Sequence, residues 1–286
     1  ESFGAWHVKG GLGNLAVQIH QRAIDVGVSF HLNSPVAQIK TVKGKATGIV
    51  LSSGENVEAD VVIANADASL VYNKLVSGNN RLLKTVRRNI SKADVSVAGF
   101  SLLLGMRKDP SDGMNHHTVL FPKNYDAEFD SIFKDAKPVE RPTIYICAPK
   151  DPLMSRDENL EGWFVLVNAP THGVFDWSNN EFNEKYASTI IDQIEEQGIP
   201  IRSRLETITI RTPADLESQT RAPGGAIYGT SSNGPRAAFL RAKNRSPIKG
   251  LYLVGGSAHP GGGLPLVGIS ADLVAEAIGY ERKLRH

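Results

Sequence analysis

Leu251-Tyr-Leu-Val-Gly-Gly-Ser-Ala-His-Pro-Gly-Gly-Gly-Leu-Pro265 decides the fold of this chain. Residues 251–254 are an uninterrupted apolar run, the pattern of a short buried strand. The run ends in a glycine-rich turn, and an apolar helical pattern follows, with Ile269, Leu273, Ala277 and Tyr280 on one face. Glycines let a flat ligand approach the main chain closely. A helix start offers free N–H groups that suit an anionic or electron-rich group. Pro260 and Pro265 stiffen the loop between them.

Outward from this segment the chain alternates helical and strand periodicities. Residues 12–27 predict an amphipathic helix whose buried face carries Leu12, Leu15, Ala16, Ile19, Ala23 and Val26, with Gly27 placed to end it. A strand over 28–32 is expected next. Residues 36–42 and 46–51 predict a hairpin turning at Lys43-Gly44-Lys45, followed by a strand over 56–64. Helices are expected over 80–91, 127–135 and 181–197, the last from Phe182, Tyr186, Ile190 and Ile194 at steps of four. Strands are expected over 95–106, 119–121, 143–148, 163–168 and 205–210. Thr212-Pro213 has the form of a helix start.

The chain has 286 residues, 41% of them apolar and 22% charged, the composition of a globular protein with a sizeable core. A net charge of +2 gives no strong pull toward nucleic acid. The single cysteine, Cys147, cannot form an internal disulfide, lies in an apolar run and is expected to be a buried strand thiol. No apolar stretch is long enough to span a bilayer, and no signal peptide is visible. The expected location is cytoplasmic, in a reducing compartment. Glu1 stands without a Met in the lead-in to a motif, so the expectation is a fragment or a processed product.

Two groups of residues carry a family resemblance. Asn244-Arg245, Ile248, Leu251-Tyr-Leu-Val-Gly255 and His259-Pro-Gly-Gly-Gly-Leu-Pro265 make the first. Gly10-Gly-Leu-Gly-Asn-Leu15, Asn33-Ser-Pro-Val-Ala-Gln-Ile39, Gly48-Ile-Val-Leu51 and Ala59-Asp-Val-Val-Ile-Ala-Asn-Ala-Asp67 make the second. Together they resemble the phytoene desaturase-like (bacterial-type carotenoid desaturase) flavoproteins of the amine-oxidase-like group. The resemblance covers both ends in order, while residues 70–220 match loosely.

That resemblance implies FAD as cofactor and a mixed α/β (α+β) fold: the C-terminal part of an FAD/NAD(P)-binding-type flavoprotein with an inserted mixed-sheet substrate domain. Residues 1–68 and 247–286 would form a discontinuous flavin-binding portion, and 69–246 the substrate domain. It places Gly255, Gly256, His259, Pro260, Gly261, Gly262, Gly263, Leu264 and Pro265 beside the flavin ring and ribityl chain. It also gives Val36 backbone contacts at the adenine end; taken alone, Val36 is a strand residue. The implied activity is dehydrogenation of a long apolar isoprenoid, with hydride passing from an allylic C–H to flavin. The implied partners are an apolar polyene, a peripheral membrane surface and a missing N-terminal segment of the same protein.

Other candidates are weaker. Gly11-x-Gly13-x-x-Ala16 fits a loose dinucleotide fingerprint, but residues 3–9 make a poor buried strand, and Asn33 stands where a ribose-binding acid is needed. In the resembled family the true fingerprint lies further upstream. A nicotinamide enzyme built on Gly11 and Gly13 is therefore the weakest alternative, behind a non-catalytic module that binds an apolar ligand or partner. Adjacent His116 and His117 are expected to point in different directions, with no cysteine completing a metal site. Ser257 lacks the second glycine of a nucleophile elbow. Residues 150–161 are expected to be solvated surface. Arg236, Arg241, Lys243 and Arg245 are expected in a solvated loop, with lipid head groups or cofactor phosphate as the alternative contact. No residue stands out as catalytic.

Overall fold

The computed structural model describes residues 4, 6–78, 81–93, 95–109, 111–155, 157–230 and 241–279. The first half of the chain holds α1 (Leu12–Asp25), β1 (Val36–Val42), β2 (Lys45–Leu51), β3 (Asn56–Glu58), β4 (Val62–Ala64), α2 (Ala68–Leu70), α3 (Arg81–Lys92), β5 (Ala98–Arg107), β6 (His117–Leu120) and α4 (Asp126–Phe133). There follow β7 (Ile144–Cys147), β8 (Leu160–Ala169), α5 (Asn180–Glu196), β9 (Leu205–Arg211), α6 (Pro213–Thr220), β10 (Leu251–Leu253) and α7 (Leu264–Ala277).

The chain divides into two compact units, each discontinuous in sequence. One comprises Glu1–Leu32, Phe100–Ala169 and Trp177–Thr212. The other comprises Asn33–Gly99, Pro170–Asp176 and Pro213–His286. The boundary expected after residue 68 falls inside the second unit, and residues 1–32 go with the first.

The first unit is built on a five-stranded sheet in the order β6-β7-β8-β5-β9, in which β6–β7, β7–β8 and β5–β9 pair antiparallel. Alternate residues on β5 and β8 are buried: Phe100, Leu102, Leu104 and Met106, and Trp163, Val165 and Val167. The stripe on α5 is equally buried at Tyr186, Ile190 and Ile194. Phe100, Trp177 and Tyr186 meet ring to ring, Phe100 and Tyr186 edge-on at 5.0 Å. Arg204 is buried among Asp112 (3.1 Å), Glu161 (2.7 Å) and the Trp163 ring. The 150–161 run is therefore more than solvated surface, because Glu161 completes this buried ion pair and also accepts the Trp163 indole N–H at 2.9 Å.

Two expectations fail in this unit. No strand forms over 28–32; instead, the Val28 N–H folds back to the Ala23 carbonyl just past the αL glycine Gly27. The helix α1 forms where its periodicity places it, yet it buries no residue, and Leu12 and Ile19 are 62% and 61% exposed. Periodicity fixes a helix's apolar stripe without supplying a surface to cover it.

In the second unit, β1 and β2 form the expected hairpin. Its two-residue turn, Lys43 (φ 50°) and Gly44 (φ 78°), has the positive dihedrals of a primed turn. The expected single strand over 56–64 is two strands in two sheets. β3 pairs antiparallel with β2, while β4 pairs parallel with β10 as Leu251↔Val62, Tyr252↔Ile63 and Leu253↔Ala64. Ile39, Ala46, Val71, Tyr72, Leu75, Ile248, Leu251 and Leu253 form the core. On α7 the buried positions are Ser270 and Val274; Ile269 is 48% exposed, so the inward face lies one residue on from the expected one. Tyr280 lies outside the described residues.

Candidate functional site

Parallel pairing of β4 and β10 brings two strand ends to one level. The Val254 N–H still reaches the Ala64 carbonyl at 3.1 Å, and there both chains leave the ladder. Asn65-Ala66-Asp67 runs from one strand and Gly255–Pro265 from the other. Ligands in open α/β folds bind just outside the carboxyl ends of parallel strands, where such loops diverge.

Short polar side chains lock the two loops. Asp67 accepts the Ser69 N–H at 2.8 Å and caps α2. Ser257 Oγ accepts the Ala68 N–H at 2.8 Å. Ser270, fully buried on α7, accepts the Gly255 N–H at 3.2 Å. Asn244 donates to the carbonyls of Leu253 (3.1 Å) and His259 (2.9 Å) and to Ser270 Oγ (3.0 Å).

Two glycines are required by close approach. A Cβ on Gly255, whose φ is 101°, would stand 2.3 Å from Asn65 Oδ1. A Cβ on Gly262 would stand 2.4 Å from the Tyr228 ring.

Arg241 corrects an expectation. Its guanidinium is buried, not solvated, and donates to the carbonyls of Gly256 (2.6 Å), Tyr228 (3.1 Å) and Thr230 (3.0 Å). Burial pulls its pKa below the ordinary arginine value. Lys243 and Arg245 are exposed, and Arg236 lies outside the described residues. The loops, with residues 225–229, enclose a cavity of about 310 Å³ lined by Asn65, Asp67, Gly225, Gly229, Gly256 and Ser257.

Of the residues singled out from the sequence, Gly256 lines this cavity. Gly255 and Gly261 are buried in the loop's own packing, and Pro260 and Gly262 are partly buried. The His259–Pro260 bond is cis, and the exposed His259 is held through its main chain, its N–H on the Ala242 carbonyl at 2.9 Å. Gly263, Leu264 and Pro265 are exposed at the start of α7, where Gly263 stands at the N-cap with open space at its Cβ position. Val36 belongs to the same unit, at the end of the hairpin remote from its turn, paired with Leu51. Asn65, Asp67, Tyr228, Ser257 and Arg241 are the members that residue type did not reveal. The signal available for Asn65 and Asp67 was their place at the end of a strand.

The Gly10–Gly13 turn is arranged differently. No strand occupies residues 6–8. The Gly10 N–H donates to the Asp151 carboxylate at 2.6 Å, so an internal anion already occupies the place a phosphate would need.

Comparison with known proteins agrees with this geometry. Residues 2–117 match the model of the flavin containing amine oxidoreductases. The chain is 32% identical over 278 residues to a 1-hydroxycarotenoid 3,4-desaturase of Flavobacterium sp. (strain P99-3), covering 96% of this chain and 55% of that protein. It is 34% identical over 280 residues to a zeta-carotene-forming phytoene desaturase of Myxococcus xanthus, covering 96% and 53%. The chain is thus similar, over nearly its whole length, to carotenoid desaturases. It spans about half the length of these relatives. An oxidoreductase from Methanosarcina mazei shares the fold at a TM-score of 0.64 and 16% identity, over 94% of this chain and 55% of that one. A cofactor-binding redesign of putrescine oxidase does so at 0.60 and 12%, over 94% and 53%. The mixed α/β architecture is thus one shared with these oxidoreductases, and the match of residues 2–117 to the flavin containing amine oxidoreductases supports FAD as cofactor.

The described residues fit part of that cofactor. Crossing glycine loops at two parallel strand ends and an open glycine at a helix start suit a flat, electron-rich ring system. A pyrophosphate loop is not among the described residues. Likewise, no helix among them is long and apolar enough to cross a membrane.

Proposed function

We propose that this chain is the part of an FAD-dependent desaturase that supplies the isoalloxazine side of the cofactor site and the surface that receives a long isoprenoid. The observation that carries this is the pair of loops at the ends of β4 and β10, fixed by Asn244, Arg241, Ser257 and Ser270 and open along Gly256 and Gly263. When bound, FAD supplies a two-electron acceptor for hydride lost from an allylic C–H. This chain's residues hold the loops, exclude water and orient the substrate. No side chain is assigned as acid or base, and a hydrocarbon needs none for its recognition. Val36 is proposed as a backbone contact toward the adenine end, and Gly255, Gly256 and 259–265 as the flavin wall. The pyrophosphate would be held by chain that the relatives possess beyond the matched half.

A polyene is supported as substrate class by the carotenoid desaturases among the relatives and by the sheet of the first unit. The face of that sheet turned away from α5 carries Val119, Tyr145 and Leu166 in one cross-strand row and Phe164 in the next. All four are half-buried or exposed. Such a face suits an apolar chain better than a polar metabolite. Peripheral contact with a membrane follows as part of the same proposal, because the substrate resides in lipid.

The second reading, a module that binds an apolar ligand without turnover, is favoured by the Asp151 carboxylate on Gly10. The purified chain separates the two. Flavin absorbance retained through gel filtration, or regained on adding FAD, and polyene-dependent bleaching support the desaturase. Protein that binds polyene but takes up no FAD, even when joined to the half of a relative that this chain does not match, supports the module and overturns the desaturase proposal.

A further inference from the structure

The β6–β7 register brings together side chains that are distant in sequence. His117 and Cys147 are directly opposite partners. The Ala148 N–H donates to the His116 carbonyl at 2.9 Å, which makes 116/148 the hydrogen-bonded pair and 117/147 the non-hydrogen-bonded pair, where side chains approach more closely. His116 precedes the first residue of β6, so strand alternation does not send its ring to the opposite face. Its ring lies 4.4 Å from that of His117 and 4.8 Å from that of His7. One donor atom each from His116, His117 and Cys147 falls within 4.8 Å of the others. The expectation that no cysteine stands beside the two histidines is overturned by this register.

The surroundings suit ligation. The Tyr145 hydroxyl lies 2.8 Å from His117 Nδ1, so a phenol orients one of the three donors. His7 is held by Asp151 at 2.9 Å and braces the outer side of His116. Tetrahedral zinc with bonds of about 2.0–2.3 Å sets its donors about 3.3–3.8 Å apart. The present spacing closes to that by small side-chain rotations at a half-buried or exposed position.

We propose that His116, His117 and Cys147 bind one borderline divalent cation of the zinc class per chain, with water in the fourth position. Two imidazoles and a thiolate select zinc or cobalt over calcium and magnesium. On binding, the Cys147 S–H proton passes to solvent as the metal–sulfur bond forms, with no change of oxidation state.

The test uses the whole chain, freed of metal by chelation and titrated with Co²⁺ and then Zn²⁺. One Co²⁺ per chain is expected, with a thiolate-to-cobalt absorption that Zn²⁺ abolishes by displacement. Cys147→Ser should remove the absorption, and His116→Ala or His117→Ala should each weaken binding at least about tenfold. The exposed His31→Ala should change nothing. Since Cys147 is the only cysteine, thiol labelling of the native chain gives a second readout that does not depend on a variant folding. Zn²⁺ should slow the labelling, and the effect should vanish in His117→Ala. A native chain that gives no thiolate–cobalt absorption overturns the proposal. So does a labelling rate that Zn²⁺ leaves unchanged, or histidine variants that bind as tightly as the native chain.

Discussion

Ser257 Oγ accepts the Ala68 N–H at 2.8 Å and so ties the loop after β10 to the helix start after β4. Without it an N-terminal helix donor loses its partner. Ser257→Ala is expected to destabilise the chain by about 1–3 kcal/mol, the range for a donor left unpaired. Gly255→Ala should cost as much or more, because its Cβ meets Asn65 Oδ1 at 2.3 Å with φ at 101°. Urea midpoints at constant m-value check both. A Gly255→Ala chain as stable as the parent would mean that the two loops do not cross as described.

Arg241 is expected to be the most sensitive polar position near the cavity. Three backbone carbonyls depend on its guanidinium. Arg241→Met fills similar volume but donates nothing, and should cost about 2–3 kcal/mol, with Arg241→Lys intermediate because an ammonium cannot reproduce the planar fork. Thermal and urea unfolding of the three chains gives the order. Equal stability of the Met and Arg forms would place the side chain in solvent.

How much of this was legible in the sequence depends on the kind of contact. The 36–51 hairpin and α5 were readable because local periodicity and turn chemistry dictate them. The inward face of α7 was misplaced by one position because Ser270, a polar residue, is its most buried member, held by Asn244 and Gly255 rather than by apolar packing. Arg241 read as surface because three unrelated carbonyls converge on it only after folding. Cys147 joins His117 through strand register, which no local pattern announces. The glycine-rich loop was readable as a turn between a strand and a helix, but Asn65, Asp67 and Ser257, which set its shape, were not.

Asp151 should titrate far below an ordinary carboxyl. The Gly10 amide first, then His7 and the Leu153 amide, holds its pKa at about 2. A lowered folded-state value means that the stabilisation is complete above the usual aspartate range near 4 and is lost as pH falls toward and through about 2. Carboxyl NMR shifts should therefore place Asp151 near 2, and the Gly10 amide should exchange faster in Asp151→Asn at neutral pH. A carboxyl titrating near 4 would mean that the contact to Gly10 is absent.

The substrate proposal makes its sharpest demand on Leu166. It stands beside Tyr145 in the row Val119–Tyr145–Leu166, on the sheet face that α5 does not cover. Its half-buried side chain is free to meet a ligand without being needed by the core. Leu166→Gln keeps the volume and replaces apolar surface with an amide, which a polyene cannot satisfy. Loss of about 1–2 kcal/mol of apolar contact, with the cost of drying the amide, corresponds to at least about tenfold weaker polyene binding. Unfolding should shift by less than about 1 kcal/mol, whereas Val165→Gln, one residue away on the buried face, should unfold the sheet. Titration with a detergent-dispersed polyene, followed by its absorption, reads the first effect, and circular dichroism reads the second. Polyene affinity unchanged in a folded Leu166→Gln chain would move the substrate to another surface.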